Sequence, residues 1–319
     1  MMRAEDLQAQ FERLAKANEV DSAVLVFERG RERQVFTHGI AKRNSVFLLA
    51  SITKPMTATA VMQLVDKKQV QLTDAVQKFI PEFGDGRVLV RHLLTHTSGL
   101  PDMLPDNDVL RKRHARLEGF ITGACRVPLL FAPGTKQSYQ SMGILLAAAI
   151  VERVTKQKLP AYLEANVFRP LGMSQTSLGL GSRKLEETVK SQGQDGSDWD
   201  WNSAYWRKLG APWGGAFASA EDVLKLLTYF AVPDDRVVKS ETARLMTTDQ
   251  NAGLNMEWGI GWGTDQKRGT FGHSGSVGTL CWANPAKKAA FVLLTSKPAA
   301  QSSKPMLEPL SAAARNILL

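Results

Sequence analysis

Apolar residues form short strand-like runs near both ends of this chain and recur every three or four residues between them. Ala23-Val24-Leu25-Val26-Phe27 reads as a strand, Gly30 sits in a polar turn, and Gln34-Val35-Phe36-Thr37 reads as its hairpin partner. Toward the other end, residues 270–273, 279–282 and 290–294 are short apolar runs separated by turn residues, and a helix is expected over about 305–317. An N-terminal helix carries Leu7, Phe11, Leu14 and Ala15 on one face. In the middle, 51–67 places Met56, Ala60, Val61 and Leu64 at helical spacing, and 142–156 is a second helical stretch. Pro81, Gly84, Gly99, Pro101, Pro133 and Gly134 punctuate this section. Strands at both ends with helices between them require the two termini to meet in one sheet. The expected fold class is α+β, with an antiparallel sheet of terminal strands flanked by helices and a mostly helical inserted region. Residues 1–60 and 210–319 are assigned to the sheet and 61–209 to the insertion, as one unit with soft boundaries.

A chain of 319 residues, 44% of them hydrophobic, can bury a large core without help from disulfides or metal. Cys125 and Cys281 lie far apart in no ligand spacing and are expected to be small core residues. The net charge of +9 is scattered except in Arg111-Lys112-Arg113-His114-Ala115-Arg116, which reads as a solvated helix face. No recognition motif accompanies that charge, so nucleic acid is not an expected partner. No apolar stretch reaches the roughly 20 residues of a membrane span, and the N-terminal segment lacks the apolar run of a secretory signal. A cytoplasmic location is therefore expected.

Three short motifs carry chemistry. Ser51-Ile52-Thr53-Lys54 puts a hydroxyl and an amine one helical turn apart at a helix start, where free N–H groups favour developing negative charge. A serine hydroxyl needs a nearby base, and a lysine whose pKa is lowered by burial can be that base. Tyr139-Gln140-Ser141 follows a Pro-Gly turn, and Gly272-His273-Ser274-Gly275-Ser276 lies in an expected edge strand whose small residues would admit a ligand closely. Taken singly, each has a plain structural reading as a cap, a loop aromatic or a strand-end turn.

In this order and with these flanks, the chain resembles the serine β-lactamase and penicillin-binding-protein-like hydrolases. The branch it looks most like is that of class C β-lactamases, D-alanyl-D-alanine carboxypeptidases and esterases. The likeness includes FLLASITKPMTA at 47–58, VLVRHLLTHTSGLP at 88–101, residues 131–143, VFRPLGMSQT at 167–176 and residues 214–227. It implies a β-lactamase/transpeptidase-like fold with Ser51 as acylated nucleophile and Lys54 and Tyr139 as the general-base system. It further implies an oxyanion hole of the Ser51 and Ser276 N–H groups. His273 stands where the family has the lysine of K-T-G and would contact Tyr139 and the substrate. Ser141, Ser274, Gly275 and Trp213 are implied to bind substrate. The rings of Trp199, Trp201, Tyr205, Trp206 and Trp213 either pack a long surface loop or wall an acyl-binding pocket.

Two positions depart from the family pattern. Ser141 replaces the usual asparagine of Y-x-N, shortening a side chain expected to hold the substrate amide. His273 removes a fixed positive charge from the strand that usually binds a carboxylate. Both shift the expectation toward hydrolysis of carboxylic esters, ahead of β-lactamase, D-alanyl-D-alanine carboxypeptidase or amidase activity, and ahead of a catalytically silent binding protein on the same fold. The expected partner is a small-molecule ester or amide. No cofactor is expected. No metal is expected either, because His92 and His96 lack the glutamate of H-E-x-x-H and a third ligand.

Overall fold

The computed structural model describes residues 4–319. Its main sheet joins the two ends of the chain. β1 (Ser22–Arg29) and β2 (Glu32–Gly39) form the N-terminal hairpin, and β6 (Gly263–Asp265), β7 (Thr270–Gly275), β8 (Thr279–Asn284) and β9 (Ala289–Thr295) form a meander. The strand order is β2-β1-β9-β8-β7-β6, with every neighbouring pair antiparallel. The seam is β1 on β9, running from Ala23 opposite Thr295 to Arg29 opposite Ala289.

Side chains of a strand alternate between faces, and β1 is buried on both. Leu25 and Phe27 pack with Leu7, Phe11, Phe291, Leu293 and Leu310 beneath the terminal helices Ala4–Ala17 and Glu308–Leu318. Val24 and Val26 belong to the larger core on the other face. That core takes in the helix Thr53–Asp66, which is buried from Thr53 through Leu64, and the helix Met142–Thr155. A helix buried along its whole first part sits inside the protein, and the S-x-x-K turn leads directly into it. Cys125 and Cys281 are buried and unbridged, in line with the core reading. No helix of the described residues is long and apolar enough to cross a membrane.

Three features differ from the sequence reading. A second sheet, β3 (Phe47–Leu48), β5 (Ala216–Ala218) and β4 (Ser177–Leu178) in the order β3-β5-β4, consists of strands too short to show a period. The C-terminal helix begins earlier, at Ala299–Ser302, and passes through a π turn at Ser303–Leu307. Pro305 lies in that turn, where its missing N–H removes a donor that an α-turn would use. Finally, β7 is not a simple edge strand. β6 covers Thr270 to Gly272, leaving the outer edge of His273, Ser274 and Gly275 open.

Candidate active site

Ser51 is the second residue of a 3-10 turn, Ala50–Ile52, that runs directly into the buried helix. N–H groups in the first turn of a helix have no intrahelical acceptor. The preceding Ala50 has a φ of 47°, the left-handed region that alanine avoids. Gly275 allows β7 to lie against this turn. A Cβ there would sit 2.4 Å from the Leu49 carbonyl oxygen and 3.1 Å from the Ala50 Cβ. A side chain at Gly275 would therefore collide with the Ser51 turn.

Lys54 has no exposed surface. Its Nζ donates to Ser51 Oγ at 3.0 Å and to the Trp213 carbonyl at 3.0 Å, and sits 4.7 Å from the centre of the Tyr139 ring. The 212–216 segment that presents this carbonyl is tied to the same helix. Thr57 Oγ1 donates to the Pro212 carbonyl at 2.7 Å, and Thr53 Oγ1 accepts from the Ala216 N–H at 3.0 Å. Burial, opposed only partly by the Asp102 charge, lowers the Lys54 pKa to about 7. Relative to water, that environment disfavours the ammonium by about 5 kcal/mol.

Tyr139 is clamped by rings. His96 lies 4.6 Å from it, Trp258 5.8 Å and His273 6.0 Å, centroid to centroid. The HTSGL block holds it from behind. Ser138 N–H donates to the His96 carbonyl at 2.8 Å, Gln140 N–H to His96 Nδ1 at 3.2 Å, and the buried Ser98 hydroxyl to Gln140 Oε1. Burial pushes the Tyr139 phenol well above its ordinary range, with the Ser51 hydroxyl partly opposing the rise. His273 is held down at about 3, first by burial and then by the Lys54 charge, so it is neutral over the ordinary pH range. Its Nδ1 lies 2.8 Å from the Ser274 carbonyl. Its contact with Tyr139 is ring against ring, not a hydrogen bond.

These groups open onto one cavity of about 790 Å³, whose wall includes Ser51, Tyr139, Ser141, His273, Ser274 and Ser276. Tyr139 Oη, His273 Nε2 and Trp258 Nε1 are buried without a well-formed hydrogen bond, and all three residues line it. Leaving a buried polar group unpaired costs about 1–3 kcal/mol, so such a cluster marks a place built to meet a polar ligand.

The Beta-lactamase family profile matches residues 7–315. The chain belongs to the β-lactamase family. Esterase EstB of Burkholderia gladioli is 30% identical to it over 80% of this chain and 78% of that protein. Among solved structures, EstCE1, a hydrolase with promiscuous acyltransferase activity, superposes with a TM-score of 0.81 at 20% identity, covering 99% of this chain and 98% of that one. The D-amino acid amidase from Ochrobactrum anthropi SV3, complexed with L-phenylalanine amide, also gives 0.81 at 20% identity, with 98% of each chain covered. The two structures share its fold. The relatives identify this β-lactamase-family chain as a hydrolase of the serine β-lactamase and penicillin-binding-protein superfamily.

Within the β-lactamase fold, the aromatic cluster divides. Trp201, Trp206 and Trp213 line the cavity, with Trp206 and Trp213 edge-to-face at 6.2 Å. Trp199 instead stacks on Arg111, and the Tyr205 hydroxyl donates to the Ala115 carbonyl at 2.8 Å. Arg111 departs from the solvated-face reading. It is half-buried between Trp199 and Trp206, at 5.0 and 4.3 Å, and donates to the Trp199 carbonyl at 2.6 Å. Two cleft residues escaped the sequence reading. Trp258 packs on His96, Tyr139 and His273, and Asp102 accepts a hydrogen bond from Ser141 Oγ at 2.6 Å. Asp102 directly follows the HTSGLP block that was read, while Trp258 lies in a segment with no periodic signal.

Proposed function

We propose that this protein hydrolyses carboxylic esters through an acyl-enzyme formed on Ser51. The observation that carries the reading is the 3.0 Å contact between Ser51 Oγ and a fully buried Lys54 amine, which loses its proton near pH 7. In the neutral amine the contact reverses and the Ser51 hydroxyl donates to the Nζ lone pair. As Oγ attacks the carbonyl carbon, the hydroxyl proton passes to Lys54 and the carbonyl electron pair moves onto oxygen. The Ser51 and Ser276 N–H groups are assigned to stabilise that oxyanion. Collapse of the intermediate expels the alkoxide, which takes the proton from Lys54 by way of the Tyr139 hydroxyl. Water then repeats the sequence on the acyl-enzyme and releases the acid. Tyr139 serves as a proton carrier and not as a standing phenolate, since its pKa lies far above that of Lys54.

Two features favour esters over substrates with a terminal carboxylate. His273 is neutral where a fixed cation would be needed, and a 30% identical relative is named an esterase. A fluorophosphonate probe followed by peptide mapping tests the nucleophile. The expected result is a single adduct on Ser51, lost in Lys54→Met; an adduct on another residue would overturn the assignment.

A further inference from the structure

Asp102 puts a carboxylate on the wall of the cavity onto which Ser51 opens. His273 and His96 are kept neutral by burial, and Lys54 sheds its proton near pH 7. Asp102 is the exception, an exposed carboxylate on the same cavity wall as Ser51, Tyr139 and Ser141. It is anchored at two points. Ser141 Oγ donates to its Oδ1 at 2.6 Å, and the Ser141 N–H donates to its carbonyl at 3.2 Å. Among the described residues no cation lies within ion-pair distance of it, yet its charge is felt at both Lys54 and Tyr139. The other charged residues on the wall are held by protein groups, the two arginines keeping their charge. Asp265 pairs with Arg268 at 2.5 Å, Arg111 is tied to the Trp199 carbonyl, and Arg315 sits over the Trp282 ring at 5.4 Å.

We infer that Asp102 is a specificity residue that selects substrates carrying an ammonium or quaternary ammonium group next to the scissile carbonyl. An anchored, unneutralised carboxylate attracts such a cation and repels an anionic substituent. The hydrogen bond from Ser141 fixes where that charge points. The cleft is partly open to solvent, so the attraction is screened and the expected discrimination is about tenfold rather than thousands. The inference rests on the ester reading above.

The test uses the full chain and two isosteric ester pairs that differ by N⁺ for C. On the acyl side, p-nitrophenyl trimethylammonioacetate is compared with p-nitrophenyl 3,3-dimethylbutanoate. On the alcohol side, butyrylcholine is compared with 3,3-dimethylbutyl butyrate. The quantity read is the cationic-to-neutral ratio of kcat/KM, in which any general effect on the base cancels. Asp102→Asn should lower that ratio about 5–10-fold in one pair, which identifies the side, and Asp102→Glu should retain most of it. In wild type the same ratio should fall as ionic strength rises. Ratios unchanged by Asp102→Asn in both pairs would overturn the inference while leaving the ester reading intact. If that variant does not fold, a salt-insensitive wild-type ratio overturns it alone. Failure of wild type to turn over either neutral ester would instead remove the ester reading, and this inference with it.

Discussion

Lys54 Nζ and Ser51 Oγ lie 3.0 Å apart, one turn of backbone between them, with the lysine wholly enclosed and the serine open to the cleft. The pair combines a base stripped of its solvent with a nucleophile that a substrate can reach. Trp213 and Tyr139, remote in sequence, close over the lysine, and its burial lowers its proton affinity.

The pH dependence follows from that enclosure. The reactive form has Lys54 unprotonated, so kcat/KM for a neutral ester should rise with pH and level off above about 7. Below that value it should fall about tenfold per pH unit. Neither Tyr139, pushed well above its ordinary range, nor His273, at about 3, should add a limb between pH 5 and 9. A stopped-time assay over this range checks the shape. A flat profile, or a limb that vanishes in His273→Gln, would contradict it.

Lys54 should be a stability liability. Its folded pKa lies below its unfolded value of 10.5, so the unfolded state binds the proton more tightly and folding loses stability as pH drops from 10.5 to about 7. Below about 7 the loss is constant at several kcal/mol. Lys54→Met removes it while also removing two hydrogen bonds worth about 1 kcal/mol each. The variant should be inactive yet about 2 kcal/mol more stable than wild type at pH 7, the gap closing and reversing toward pH 10. Urea unfolding at several pH values measures this, and a variant less stable at every pH would contradict it.

Tyr139→Phe separates chemistry from packing. The ring contacts with His96, Trp258 and His273 survive, and the lost hydroxyl is buried without a well-formed partner. Thermal stability should therefore be unchanged or slightly higher. Ester turnover should drop about 100-fold or more, because the proton path to the leaving group is interrupted. A drop in Tm of several degrees with activity retained would reverse the assignment.

Arg207 should govern the tryptophan wall from outside the cavity. It is fully buried, without a carboxylate ion-pair partner among the described residues, and burial lowers its pKa to about 10. Its guanidinium donates to the Trp201 and Val189 carbonyls at 3.0 Å each, to Asn202 Oδ1 at 2.6 Å and to Thr188 Oγ1. Arg207→Met leaves those acceptors unpaired, so a loss of about 3 kcal/mol is expected. KM for bulky acyl esters should rise more than for acetyl esters as Trp201 loosens. Equal changes in KM across chain lengths would dissociate Arg207 from the wall.

What could be read from the sequence is what local spacing encodes. The two terminal strand groups, the helix at 51–67 and the Ser-Lys turn all show in periods of two or in steps of three and four. β6 and the small sheet do not, because strands of two or three residues have no period. Gly275 was visible as a small residue beside the motif, but its close packing against the Ser51 turn is decided only by tertiary structure. Asp102 carries no local signal, and Arg111 reads as part of a solvated helix face. They reach the cleft because Ser141 and Trp206, each tens of residues away, are folded against them. The depressed pKa of Lys54 likewise belongs to its burial and not to its motif.

The most direct test is hydrolysis of a short-chain aryl ester by wild type and by Ser51→Ala, with a chromogenic cephalosporin assayed in parallel. Ester turnover should be abolished in the variant, with little cephalosporin turnover by either protein. Ester turnover persisting in Ser51→Ala would contradict the nucleophile and the mechanism with it.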